Sequence, residues 1–255
     1  MTGNLSRRAL FAGSAAVGAA FAAMPAKAWT TGPAQKTSQT DVLVIGSGLS
    51  GVVSALSARE AGADVVMIDK AKRAQRGGNS RVCLGSFLMP KDDSAEAKKA
   101  FVEDVKAKSM GGGRVDLYEV LAERILPAVR WAESKGAAFE PWLQQAPWRV
   151  GVRIASPGQY RGMPKLLDTL HGDFEKAGGK ERFDVKAKAL LLNEKGAVCG
   201  CRVLTAQGFE DIRAKAVVLA TGGYSANRAM LESCHPGGGS ILIRGNKWIS
   251  RTGTL

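Results

Sequence analysis

Residues 41–70 read DVLVIGSGLSGVVSALSAREAGADVVMIDK, and this stretch decides the fold. Asp41–Ile45 is a short β-branched run, the pattern of a buried parallel strand. Gly46, Gly48 and Gly51 follow as G-x-G-x-x-G. Small and apolar residues then run with helical spacing to about Ala61, where Gly62 stops them. Val65–Ile68 is a second apolar run, with Asp69 at its end. Strand, glycine turn, helix and strand, with an acid about 20 residues beyond the glycines, make a dinucleotide-binding unit.

Each residue type has a physical task there. Gly46 permits the tight turn out of the strand. Gly48 lets the backbone approach a pyrophosphate, and Gly51 brings the helix close to the strand. Ser47, Leu49 and Ser50 complete the turn at the helix N-terminus, where free N–H groups and the positive dipole end favour phosphate. Asp69, with Lys70 beside it, can accept hydrogen bonds from ribose hydroxyls. The unit alone does not separate FAD from NAD. Lys70, Lys72, Arg73 and Arg76 also keep a 2′-phosphate, and hence NADP, open.

The 255 residues allow one or two domains, and 45% apolar content points to a globular chain. The formal charge of +13 comes from scattered Lys and Arg without interleaved aromatics. That is a solvated basic surface rather than a nucleic-acid footprint. Ser6-Arg7-Arg8-Ala9-Leu10-Phe11 resembles a twin-arginine export signal. Ala9–Ala23 is too short and too weakly apolar to span a membrane, and Ala26-Lys27-Ala28 reads as a cleavage site. Residues 1–28 are therefore expected to be a signal cleaved after Ala28, with the chain in the periplasm. An uncleaved anchor or an amphipathic N-terminal helix is the alternative. Residues 29–40 read as a linker.

Two further motifs follow. Arg76-Gly77-Gly78-Asn79-Ser80-Arg81 lies just beyond Asp69. Lys215–Gly223 runs as an apolar strand, with Val217–Leu219 expected to be buried, into the tight turn Ala220-Thr221-Gly222-Gly223. An acid–Lys pair followed by G-G-N-S-R and, later, A-T-G-G resembles the flavoprotein subunits of the fumarate reductase and succinate dehydrogenase family. Its soluble members include fumarate, urocanate and tricarballylate enzymes and ketosteroid dehydrogenases. The resemblance implies FAD, with Gly77, Gly78, Asn79 and Ser80 running along it and Ala220–Gly223 beside it. An NAD(P)-dependent dehydrogenase would require both motifs to be accidental.

The middle of the chain is plainer. Asp92–Lys108, Asp116–Lys135 and Gly162–Ala177 carry helical spacing. In the second of these, Leu117, Val120, Leu121, Ile125, Val129 and Trp131 form an apolar stripe, with Pro127 inside it. Trp131 reads as core. Trp142 and Trp148, each next to a proline, read as packing residues in a loop. Asp184–Asn193, Ala197–Thr205 and Gly208–Ala214 read as a β-meander. Cys199 and Cys201, two apart on one strand, are expected to face the same way. No metal-ligand or haem-attachment spacing occurs. His171, on a helix, reads as a satisfied structural residue.

The expected architecture is α/β: a Rossmann-like FAD-binding domain over 41–236, with a parallel sheet plus a β-meander, a helical insert at about 92–180, and a tail over 237–255. The resemblance also implies a capping domain and catalytic Arg and His residues beyond the A-T-G-G turn. The 32 residues after Gly223 hold one histidine, His235, whose S-C-H-P setting matches a family loop rather than a catalytic position, so no catalytic residue is assigned. The implied function is an exported FAD-dependent oxidoreductase module that reduces or forms a C=C bond conjugated to a carboxylate or carbonyl. A small unsaturated acid is the implied substrate, and a cytochrome c-type electron-transfer protein or a complementing chain the implied partner. The alternative is a non-catalytic, truncated FAD-binding fragment.

Overall fold

A computed structural model describes residues 33–83, 85–110, 113–146, 149–154, 162–224 and 227–238. The expected signal, the linker before Pro33, Trp148 and the tail beyond Gly238 lie outside them. The strands are β1 (Lys36–Ile45), β2 (Val65–Ile68), β3 (Ser86–Pro90), β4 (Phe139–Ala146), β5 (Arg149–Ile154), β6 (Lys180–Arg182), β7 (Lys186–Leu192), β8 (Val198–Thr205) and β9 (Gly208–Leu219). The helices are α1 (Leu49–Glu60), α2 (Ala95–Lys108), α3 (Val115–Ser134), α4 (Met163–Lys176) and α5 (Arg228–Cys234).

β1 is the centre. It pairs in parallel with β2 on one side and β9 on the other, in a sheet ordered β6-β2-β1-β9-β8-β7. Its apolar run follows from burial on both faces: Leu43 and Val44 are fully buried. One face packs Val44 and Met67 against Val52 and Leu56 of α1 and Leu167, Leu170 and Phe174 of α4. The other packs Leu43, Ile45 and Ile68 against Ala187, Cys201, Val203 and Ile212, so the meander curls over it. Burial pushes the Cys201 thiol up to about 11, leaving it a protonated, inert core group.

Several local expectations change. The meander's third strand and the strand before A-T-G-G are one element, β9; Arg213 and Lys215 break its apolar pattern but not its pairing. β8 accompanies β9 only over Gly208–Arg213, whereas β1 continues to Leu219. Beyond Arg213, β9 therefore has a strand on one side alone among the described residues. Leu219 is accordingly 51% exposed rather than buried. The segment 92–180 is not simply helical, because β4 and β5 join β3 in an antiparallel sheet ordered β3-β5-β4. Trp142 stands in edge strand β4, not in a loop; strand edges tolerate prolines such as Pro141. β6, three charged residues, has no apolar signature and is recognisable only by its pairing with β2.

Cys199 and Cys201 do not share a face. The β7–β8 register slips between Leu191 and Leu192, making Cys199 the extra residue of a bulge. Cys201 pairs with buried Ile212, while the Cys199 Sγ meets the guanidinium of Arg213, the next residue along. All four cysteines are free. On α3, Trp131 packs against the first core and donates to Glu60, but Leu117 and Val120 are each 58% exposed. The stripe is only half covered by described residues.

The tightest point of the fold is where α1 leaves β1. A Cβ on Gly51 would overlap the Gly46 carbonyl oxygen, and one on Gly46 would overlap that of Ala220. Gly51→Ala is expected to lower stability by about 1–3 kcal/mol, as for overpacked core sites. A urea melt checks this, and an unchanged midpoint would show that helix and strand are not held in this contact.

Candidate functional site

A cavity of about 320 Å³ opens at the C-terminal ends of β1, β2 and β9. The sequence order supplies it from three directions: the turn between β1 and α1, the end of β2 with the Gly77 loop, and the turn after β9. Gly46, Ser47, Gly48, Leu49, Ser50, Asp69, Lys70, Gly78, Asn79, Ser80, Ala220, Thr221, Gly222 and Gly223 all line it. Of the residues expected from sequence, Gly51 and Gly77 do not. Gly51 packs against the Gly46 backbone, as its spacing implies. Gly77 is buried in the left-handed region at φ +99°, where a Cβ would press on Leu167 of α4.

The polar groups are ordered by one carboxylate. Asp69 Oδ2 accepts from the Ser47 N–H at 2.8 Å and the Ser47 hydroxyl at 2.6 Å, and Oδ1 accepts from the Ala71 N–H at 2.8 Å. The Ser47 Oγ also accepts from the Gly77 N–H at 3.2 Å. Ser47 thus lines the cavity while its polar groups are engaged inside the protein. Asp69 keeps acceptor capacity only on Oδ1. Ser80 has a second task as well: its Oγ accepts the Leu49 N–H at 3.2 Å. It thereby caps α1 from outside, since Gly48 at the N-cap has no side chain.

Charge in the cavity is cationic. Burial pushes the Lys70 ammonium below its ordinary range; Asp69 counteracts this and Lys186 reinforces it. Lys186 lies with Val185 and Ala187 on the cavity wall, at the start of β7. These three carry no motif and are invisible as site residues in sequence. They come to the site because the Val185 N–H donates to the Asp69 carbonyl at 3.0 Å. Among the described residues no cluster of three metal-ligating side chains occurs, and no helix is long and apolar enough to cross a membrane. His235 is exposed and lies off the cavity.

Gly48 tests whether a dinucleotide fits. Its φ of −68° and ψ of −179° suit any residue, and a Cβ there would lie 3.6 Å from Ser80 Oγ and 3.7 Å from the Gly77 carbonyl, ordinary contacts. The protein itself does not need a glycine at this point. A side chain would instead fill cavity space next to the N-terminus of α1, where a pyrophosphate belongs.

A glycine turn opening onto the carboxyl ends of a parallel sheet, with an acid on the neighbouring strand, defines a dinucleotide-binding α/β protein. More narrowly, the model of the FAD binding domain family matches residues 41–240, and the chain belongs to that family. A probable fumarate reductase of Shewanella frigidimarina is 33% identical over 217 residues, which is 82% of this chain and 36% of that protein. A urocanate reductase of Eggerthella lenta is 29% identical, with the same coverage of each. The open conformation of a flavocytochrome c3 fumarate reductase superposes with a TM-score of 0.72 at 28% identity, over 93% of this chain and 41% of that one. The chain spans about a third of the length of the curated relatives it matches. FAD is the cofactor of this domain.

Gly48→Ala separates the roles of the glycines. It is expected to leave the stability of the cofactor-free chain within about 0.5 kcal/mol, as for an unstrained site away from the core, while weakening FAD by about tenfold or more. Thermal melts and flavin titration of the same sample check both halves.

Proposed function

We propose that the chain is the FAD-binding module of an oxidoreductase that reduces or forms a C=C bond conjugated to a carboxylate or carbonyl. The observation carrying this is that three separated segments, the β1–α1 turn, the Gly77 loop and the Ala220 turn, meet at one cavity in a chain related to fumarate and urocanate reductases. An acrylate reductase flavoprotein subunit is a further relative, at 29% identity. Bound FAD supplies hydride transfer at its flavin ring.

The chain's own residues bind and orient. In this reading Gly48 and Ser50 offer backbone N–H groups to the pyrophosphate at the helix N-terminus, while the Leu49 N–H stays on Ser80, and Lys70 adds positive charge. Asp69 Oδ1 takes a ribose hydroxyl. Val185–Ala187 border the adenosine end. Gly78, Asn79 and Ser80 with Ala220–Gly223 border the path towards the flavin, where Leu219 offers an apolar surface. No residue here is assigned to proton transfer or to holding a substrate carboxylate. We assign those roles to the part of the relatives' length that this chain does not span, and electron supply to a cytochrome c-type partner.

Reconstituted with FAD, the chain is expected to show a bound-flavin spectrum but no viologen-driven reduction of fumarate or other unsaturated acids above free FAD. Adding a polypeptide with the remaining two thirds of the Shewanella relative is expected to yield turnover. Bound flavin without turnover in the mixture would reduce the chain to a non-catalytic FAD-binding protein.

The same reading places the chain in the periplasm by the twin-arginine route, from Arg7-Arg8, the short apolar stretch and Ala26-Lys27-Ala28. Replacing Arg7 and Arg8 by Lys is expected to retain the protein in the cytoplasm on fractionation. Undiminished periplasmic recovery would overturn this route.

A further inference from the structure

His171, on α4, is fully buried although it does not line the cavity. Its Nε2 lies 3.1 Å from the carbonyl oxygen of Ser47. A carbonyl only accepts, so Nε2 carries the proton and donates. Its Nδ1 bonds Oε1 of Glu181 on β6, with one proton between them whichever of the two holds it. The Glu181 side chain is 1% exposed. Its Oε2 has no hydrogen-bond partner among the described residues, but the guanidinium groups of Arg73 and Arg76 each stand 3.8 Å from it. A buried imidazole, locked from behind by a buried carboxylate, is thus aimed at one backbone oxygen of the glycine turn.

The target matters because of the peptide plane it belongs to. The chain has no cis peptide bonds among the described residues. In a trans peptide the C=O and the following N–H point in opposite directions. Drawing the Ser47 carbonyl towards α4 therefore turns the Gly48 N–H away from α4, at a residue that lines the cavity. The neighbouring 46–47 plane is held separately, by the Ser47 N–H on Asp69. Nothing else among the described residues bonds the Ser47 carbonyl. Gly48 could accept the reversed plane, since inversion would carry its φ to positive values that only glycine adopts cheaply. Reversal would present a carbonyl oxygen where a phosphate needs a donor.

We infer that His171 is a positioning residue for the cofactor's pyrophosphate: by holding the Ser47 carbonyl it fixes the 47–48 peptide plane and aims the Gly48 N–H into the cavity. Glu181 fixes the ring. The inference rests on FAD being the cofactor, and it specifies one part of that molecule. Adenosine contacts do not depend on the 47–48 plane; pyrophosphate contacts do.

The test compares two amide substitutions in the full chain. The Gln amide nitrogen reaches the position of Nε2, whereas that of Asn reaches only Nδ1. His171→Gln is expected to bind FAD within about threefold of wild type, and His171→Asn about tenfold or more weakly. ADP, displaced from or competing with FAD, should follow the same order. Adenosine, which lacks the phosphates, should bind all three proteins alike. If Asn and Gln variants hold FAD and ADP equally well, the inference is overturned. A parallel loss of adenosine would also overturn it, because a merely structural defect would spread over the whole site. Should the Asn variant not fold, the inference stands or falls on His171→Met, with the same ligands and the same expected order. A wild-type chain that binds neither FAD nor ADP overturns both this inference and the cofactor assignment.

Discussion

A buried carboxylate closes the nucleotide site. Asp69 directly follows β2 and takes both donors of Ser47, so the turn leaving β1 is tied sideways to the neighbouring strand. A charged group with little solvent is tolerable only when its oxygens are hydrogen-bonded, and three donors meet that condition. The rest is referred to this tie. Ser47 Oγ collects the Gly77 N–H, the Ala71 N–H fixes the chain just after the acid, and the Asp69 carbonyl draws in β7 through Val185. Parts of the chain far apart in sequence are thereby registered against one turn to within hydrogen-bond distances.

α4 is the second bracket. Leu167 lies under Gly77, Asp168 receives the guanidinium groups of Arg76 and Arg81, and His171 reaches Ser47. The Arg81 guanidinium, helped by Arg76, holds the Asp168 carboxyl below its usual range. That folded-state depression stabilises the loop above the ordinary carboxylate pKa and is lost as pH falls through the lowered value. Asp168 is half exposed, so solvent screening keeps this contribution small.

What the sequence discloses and what it hides divide along physical lines. The β1–α1–β2 unit is legible because its glycines, apolar runs and terminal acid are each demanded by local geometry. The Gly77 loop and the Ala220 turn are legible as motifs for the same reason. Val185–Ala187 are not, because they contribute position and backbone rather than distinctive side chains. β6 is three charged residues that become a strand only by lying beside β2. His171 reads as an ordinary helical residue, since its significance lies in a contact 124 positions away. The Cys199 bulge escapes a two-residue alternation rule for the reason such rules fail generally: one inserted residue reverses every face after it.

β9 has a double life with a practical side. Its first half is flanked on both sides, whereas Lys215–Leu219 has only β1 beside it among the described residues, with Ala216 and Leu219 exposed. Extended backbone with a bare rim is a template for intermolecular pairing, and natural proteins guard such rims with charge. Here the guard is Lys215, whose exposed ammonium pairs with Asp41 at 2.7 Å. Whether the isolated polypeptide self-associates therefore turns on what lies against Lys215–Leu219, a local matter of backbone pairing that the net charge of +13 does not address.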